Sequence, residues 1–174
     1  MLLQCCCGPC ASHVLEHLAY KYNITVFFYN PNIEPVAEFG KRQKEFLRLL
    51  SEAEFASNVD TLECEYDNSS YVNAVRQYRN QPEGGARCRI CYELRLRKTA
   101  QRAASGRYDI FATTMSVSPQ KNSKLLNELG LQLSKEYVVE YLVADFKKNN
   151  GYLRSVELSK QFGLYRQEYC GCEI

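Results

Sequence analysis

The sequence predicts an α/β fold: a mostly parallel sheet with helices on both faces. Three observations predict it. Apolar runs rich in β-branched and aromatic residues alternate with amphipathic stretches. No linker or internal repeat interrupts that alternation. Groups of cysteines fall where strands give way to helices, the edge at which such sheets bind their ligands.

The elements follow in order. MLLQCC is a short apolar strand, and ASHVLEHLAYKY is a helix with Val14, Leu15 and Leu18 on one face, Pro9 suiting its first turn. ITVFFYN (24–30) has the content of a buried strand. PVAEFGKRQKEFLRLLSEA starts a helix behind Pro35 and turns Phe39, Phe46, Leu49 and Leu50 inward. SNVDTLECEY (57–66) is a weaker third strand. CRICYELRLRKTAQRAA is a helix stopped by Gly106, followed by the strand YDIFATTM (108–115). Ser118 and Pro119 read as the N-cap and first turn of the next helix, with free amides suited to a phosphate. That helix is QKNSKLLNELGLQLSKE; the strand YVVEYLVADF (137–146) and the helix GYLRSVELSKQFG complete the pattern.

With 45% hydrophobic and 24% charged residues, the chain has the composition of one globular domain over 1–174, large enough to bury a core. No apolar run approaches the roughly 18 to 20 residues of a membrane span. The first thiol, Cys5, arrives before the basic and apolar regions of a secretory signal. A cytoplasmic protein with no membrane partner is expected. In that compartment nine cysteines point to metal or redox chemistry rather than to stapling. Cys64 stands alone in LECEY and reads as a buried core thiol. The net charge of +2 says little, but Arg87, Arg89, Arg95, Arg97, Lys98, Arg102 and Arg107 face the single acid Glu93 in one stretch. That is either a polyanion-binding face beside a cysteine pair or an ordinary solvated helix.

CCCGPC (5–10) and RCRIC (87–91) each sit at a helix start, where thiolates are favoured. Four such thiolates suit an iron–sulfur cluster, a tetrahedral zinc or a dithiol redox couple. Adjacent cysteines suit a cluster better than a zinc knuckle, and all three readings stay open on spacing alone. Cys170-Gly171-Cys172 is a separate pair, spaced for an exchangeable disulfide, a metal-binding tail or two unpaired thiols.

Five blocks together resemble, in order, the motifs of the QueH-type epoxyqueuosine reductases: CCGPC (6–10), FFYNPNIEP (27–35), PEGGARCRICYELRL (82–96), FATTMSVSPQKN (111–122) and DFKKNNGYLRSVELSKQFGLYRQEYCGC (145–172). Departures are small: Cys5 precedes the usual pair, the first strand is short, and Gln120 replaces an expected aromatic residue. The resemblance implies a Rossmann-like, nucleotide-hydrolase-like domain. It implies reduction of epoxyqueuosine to queuosine at the wobble position of tRNA with a GUN anticodon, the last step of queuosine synthesis. It also implies an external electron donor and a [4Fe-4S] cluster with an adjacent iron ion, replaced by zinc if handled in air. By motif position, Cys6, Cys7, Cys88 and Cys91 are the expected cluster ligands, and Cys170 and Cys172 the redox-active disulfide. Cys10, left over once four ligands are assigned, is expected to help hold the second metal, with His13 a weaker candidate. Tyr29, Asn30, Asn32, Arg87, Arg89, Lys121, Tyr152 and Arg154 are the expected substrate contacts. Two rival readings are a thiol-disulfide oxidoreductase using CRIC and CGC, and a zinc-stabilised RNA-binding module.

Overall fold

The structure, a computed structural model, describes residues 1–172. Five parallel strands form one sheet: β1 (Leu2–Gln4), β2 (Thr25–Phe27), β3 (Asp60–Leu62), β4 (Ile110–Thr113) and β5 (Glu140–Tyr141). Their order is β3-β2-β1-β4-β5. The chain builds outward from β1 to β3, then returns to the other side of β1 for β4 and β5. The reversal lies between β1 and β4, so the crevice beyond their carboxyl ends is where this architecture admits a ligand.

Helices cover both faces. On one, α1 (Gly8–Leu18) packs against α2 (Val36–Glu52) and α6 (Gly151–Gln161). On the other, α4 (Ala86–Ser105) packs against α5 (Ser123–Tyr137) and α3 (Asn68–Val75). Strand periodicity sorts side chains between the two layers. Leu3, Val26, Phe28 and Ala112 join Phe39 and Phe46 on the α2 side, while Leu2, Phe27 and Phe111 join Leu96, Leu126 and Leu129 on the α4 side. Cys5 continues this alternation: its amide bonds to Phe27 O at 3.0 Å, and its side chain is fully buried with Leu3 in the α2 layer.

Several expectations need correcting. Ser118 does not cap α5. A short 3₁₀ turn, Thr114–Val117, follows β4, and Asn122 caps α5 by accepting a hydrogen bond from Leu125 N at 3.1 Å. Asn122 wins because its short side chain can reach the third amide of the helix while Ser118 is committed to the preceding turn. Helix α3 was not foreseen. It is one short stretch whose start is marked by Asp67, which accepts from Ser70 N at 3.3 Å. The fifth strand pairs over two residues only, because it is an edge and the chain leaves it at Leu142. Cys64 lies past the end of β3 and is half-buried, its thiol 3.3 Å from Glu65 O.

Candidate metal and redox site

The sequence turns directly from β1 into α1, and that turn is made of cysteines. Cys7 occupies the extended position before the helix, and Gly8-Pro9 begins it. Gly8 lies against the backbone of Glu45 and the side chain of Leu164, so α1 starts hard against α2. Cys10 lies one turn further on. As a result the sulfurs of Cys6, Cys7 and Cys10 lie within 4.8 Å of one another, with Cys6 and Cys7 3.7 Å apart. A tetrahedral ion with sulfur ligands at about 2.3 Å spaces its sulfurs by about 3.8 Å, so this triad can bind a metal ion. Hydrogen bonds from the Cys10 and Cys7 thiols, helped by Arg95, hold the Cys6 thiol well below the usual range against the effect of burial. The converse holds for Cys10, pushed up by donating towards Cys6 and Cys7 and by burial. One thiolate shared among three sulfurs is the arrangement a cation would replace.

A buried polar network holds the floor beneath the triad. Thr113 Oγ1 donates to Gln4 Oε1 at 2.7 Å, and Gln4 Nε2 donates to the carbonyls of Cys5 and Tyr29, each at 3.1 Å. Asn30 Nδ2 donates to Cys5 O at 2.9 Å, and its Oδ1 accepts from Arg95 Nη2 at 2.6 Å. Each of these side chains is almost completely buried. Arg95 comes from α4, one turn after Cys91. Among the described residues no carboxylate meets its guanidinium. Burial opposes its charge, but Cys91, Cys6 and Cys170 favour it. A buried cation without a carboxylate needs thiolates or a bound anion to balance it. The expectation that grouped Arg95 with the basic outer face of this helix is therefore corrected: its spacing from Cys88 and Cys91 places it on the inner face.

Cys88 and Cys91 are both buried in the first turns of α4, and Gly84 N donates to Cys88 Sγ at 3.2 Å. Cys88 packs in the layer that Cys6 borders, whereas Cys91 packs with Tyr71, Val75 and Cys172. Burial pushes the Cys91 thiol up to about 11. The end of the chain completes the site. Cys170 Sγ lies 3.3 Å from Lys121 Nζ, which also donates to Glu83 at 2.8 Å. Hydrogen bonding from Cys172, aided by the Lys121 ammonium and opposed by burial, lowers the Cys170 thiol to about 5, while the same bond and burial drive Cys172 far upward. All nine cysteines are free thiols in this structure.

A cavity of about 150 Å³ opens here whose wall includes Cys6, Cys10, Asn30, Asn32, Arg95, Lys121 and Cys170, while Cys88 and Cys91 stand behind that wall. Buried atoms of three lining residues, Asn32 Oδ1, Arg95 Nε and Gln167 Oε1, have no partner among the described residues. A second cavity of about 530 Å³ adjoins it through Cys10, Ser118, Gln120 and Gln167, and it is lined by Tyr152 and Arg166.

The similarity of the whole chain to known proteins agrees with this geometry. Residues 1–174 match the model of the family described as epoxyqueuosine reductase QueH. The chain belongs to the QueH family.

The chain is 44% identical over 174 residues to the epoxyqueuosine reductase QueH of Streptococcus pyogenes serotype M1, covering 99% of this chain and 68% of that one. It is 40% identical over 177 residues to the Staphylococcus epidermidis protein of the same name, covering 99% and 74%. The Staphylococcus aureus protein is 38% identical over 177 residues, covering 99% and 73%. Proteins of the QueH family are named as reductases, and this chain is accordingly an oxidoreductase.

Of the expected contacts, Asn30, Asn32 and Lys121 line the first cavity and Tyr152 the second. Four others line neither. Tyr29 is buried beneath α4, stacked on Phe27, because its strand position turns it into the apolar layer. Arg154 is committed to Glu16 at 2.6 Å and Glu157 at 3.0 Å. Arg87 donates to Arg79 O, and Arg89 is exposed. His13 packs against Gly151 and stands outside the thiol triad. Arg42, Gln167, Glu83 and Met115 line the cavity without having been foreseen. Glu38 and Arg42 have the i,i+4 spacing common to surface pairs on any helix, so nothing in the sequence marks Arg42.

Proposed function

We propose that this chain removes the epoxide oxygen of epoxyqueuosine at the wobble position of tRNA with a GUN anticodon, leaving queuosine. The observation that carries the reading is the convergence of two thiol-bearing segments and two cations, Arg95 and Lys121, on one cavity in a chain of the QueH family, with the third thiol segment packed beside them through Cys88 and Cys91. We take residues 1–174 as one domain acting in the cytoplasm.

Loss of the oxygen as water takes two electrons and two protons, with a C=C bond replacing two C–O bonds. Closing Cys170 and Cys172 to a disulfide releases two electrons and two protons, so the sum balances, and an external donor must then reopen the disulfide. The donor set fits the expected cofactors. Cys6, Cys7, Cys88 and Cys91 would hold a [4Fe-4S] cluster, with Cys10 beside the pair for an adjacent iron. When bound, these supply one-electron transfer and Lewis acidity.

The chain's own groups do the rest. Lys121, a partly buried ammonium 3.3 Å from Cys170, holds a proton at Nζ for the departing oxygen. Arg95 offers fixed positive charge at the floor, and Asn30 and Asn32 present polar atoms to the modified base. Tyr152, with Arg166 over its ring at 5.9 Å, offers a stacking platform for a neighbouring nucleotide. Arg87, Arg89, Lys98 and Arg102 on α4 would meet the phosphates of the anticodon arm.

The test is iron and acid-labile sulfide per chain on anaerobically purified protein, followed by nucleoside mass spectrometry of epoxyqueuosine-containing tRNA under reducing conditions. About four to five irons with about four sulfides, and conversion to queuosine, are expected. A protein that binds only zinc after attempted reconstitution and leaves epoxyqueuosine intact overturns the reading.

A further inference from the structure

Most of the buried face of α2 is apolar, with Phe39, Phe46 and Leu49 in the core, yet the same helix buries a charged pair. Arg42 and Glu38 are 2.6 Å apart, with side chains only 3% and 9% exposed. A buried pair of this kind stabilises a fold little more than apolar residues of the same size would. Its directional contacts are therefore the informative feature, and they all reach one place. Arg42 Nη1 donates to Cys170 O at 2.9 Å and Nη2 to Tyr169 O at 3.4 Å. The guanidinium also lies 5.1 Å from the centre of the Tyr169 ring. Glu38 accepts from Tyr165 OH at 3.2 Å, so the pair grips the same segment at two points. From the loop before α2, Glu34 N donates to Gly171 O at 2.7 Å.

The segment so held has no regular structure of its own. Residues 163–172 follow α6 as bends and turns, and Gly171 has a φ of +88°. A Cβ there would stand 3.0 Å from the Arg42 guanidinium. Held in this way, Cys170 turns its sulfur to Lys121 and the cavity, while Cys172 is buried with Tyr71 and Cys91.

We propose that Arg42 is the positioning residue of the C-terminal dithiol, holding the carbonyls of Tyr169 and Cys170 so that the reduced Cys170 sulfur faces Lys121. Its role is differential. It fits the reduced arrangement seen here, so it stabilises dithiol over disulfide and makes the pair readier to accept electrons. This rests on the proposed redox use of Cys170 and Cys172, and on no bound metal.

The experiment is a redox equilibrium of the iron-loaded protein in buffers of glutathione and glutathione disulfide. The reaction is two protein thiols plus one glutathione disulfide giving the protein disulfide plus two glutathiones. Oxidised fraction is read by trapping, digestion and mass spectrometry of the C-terminal peptide. Arg42→Gln should raise the equilibrium constant for disulfide formation about tenfold, as expected for loss of hydrogen bonds from a charged donor. Arg42→Lys should fall between, having one head in place of a fork. Glu38→Gln, remote from both sulfurs but in contact with Arg42, should shift it in the same direction by less, and this variant decides if Arg42→Gln does not fold. A lowered melting temperature with an unchanged redox equilibrium in the variants that fold would show an ordinary structural pair and overturn the proposal. A wild-type dithiol that forms no disulfide at any glutathione ratio would instead overturn the redox role of the pair itself.

Discussion

The cavity has two kinds of thiol wall. Cys6, Cys7 and Cys10 are fixed by backbone: the end of β1, the start of α1 and a fully buried hydrogen-bond network beneath them. Cys170 and Cys172 hang on an irregular segment, held by side chains that reach it from α2 and from the loop before α5. On the function proposed above, the difference teaches how a metal ligand set and an exchangeable dithiol would be built side by side. Ligands need a position that does not move, which regular elements supply. A dithiol that must close, open and meet an outside reductant needs contacts few enough to rearrange.

The largest expected effect tests the rigid wall. Cys6→Ala or Cys7→Ala should lower iron content and tRNA reduction by about 100-fold or more, more than the 10–100-fold usual for a residue that only supports a ligand. Iron analysis and nucleoside mass spectrometry read it. If iron stays bound and turnover persists, the β1–α1 turn is not the ligand wall.

The second prediction separates the two walls by pH. In reduced, metal-free protein, Cys170 is lowered to about 5 and Cys7 raised to about 12, its hydrogen bond from Cys10 outweighed by the Cys6 thiolate and burial. The thiolate is the reactive form, so alkylation of Cys170 should be full at neutral pH and fall away as pH drops through about 5. Cys7 should stay unreactive at neutral pH. Lys121→Gln should move the Cys170 profile upward, since it removes one of the charges favouring the thiolate. Peptide-resolved alkylation rates read both, and equal profiles would erase the distinction.

Stability sharpens the comparison further. Thr113→Val strands Gln4 Oε1 in the core and should cost roughly 1–3 kcal/mol in denaturant unfolding. Tyr165→Phe on the C-terminal segment removes only longer, partly solvated hydrogen bonds to Glu38. It should cost less than about 1 kcal/mol. A reversed order would mean that the C-terminal segment, and not the sheet, anchors the site.

Much of this was legible in the sequence where the signal is local. Alternating strand and helix patterns carry the α/β class, Pro9 and Pro35 mark helix starts, and Gly106 marks an end. Even the fate of Cys5 follows from period two: if Leu3 faces the α2 layer, so does Cys5, and Cys6 is left at the mouth of the cavity. Arg95 was equally readable, since residues 88, 91 and 95 share one face of a helix. Helix α3 escaped because its eight residues carry too few apolar positions to show a period, and Ser118 misled because a serine before proline fits a turn as well as a cap.

What the sequence determined by itself is the class of fold and the chemical inventory: three thiol groups, each at or near a chain turn, and basic residues to balance them. Local propensity and periodicity act within a few residues, and these features need no more. Tertiary structure alone decided that the C-terminal segment folds back against α2, that Lys121 meets Cys170, and that Arg42 serves residues more than a hundred positions away. Those pairings depend on where the strand order reverses and how the helices seat on the sheet, which no window of sequence contains.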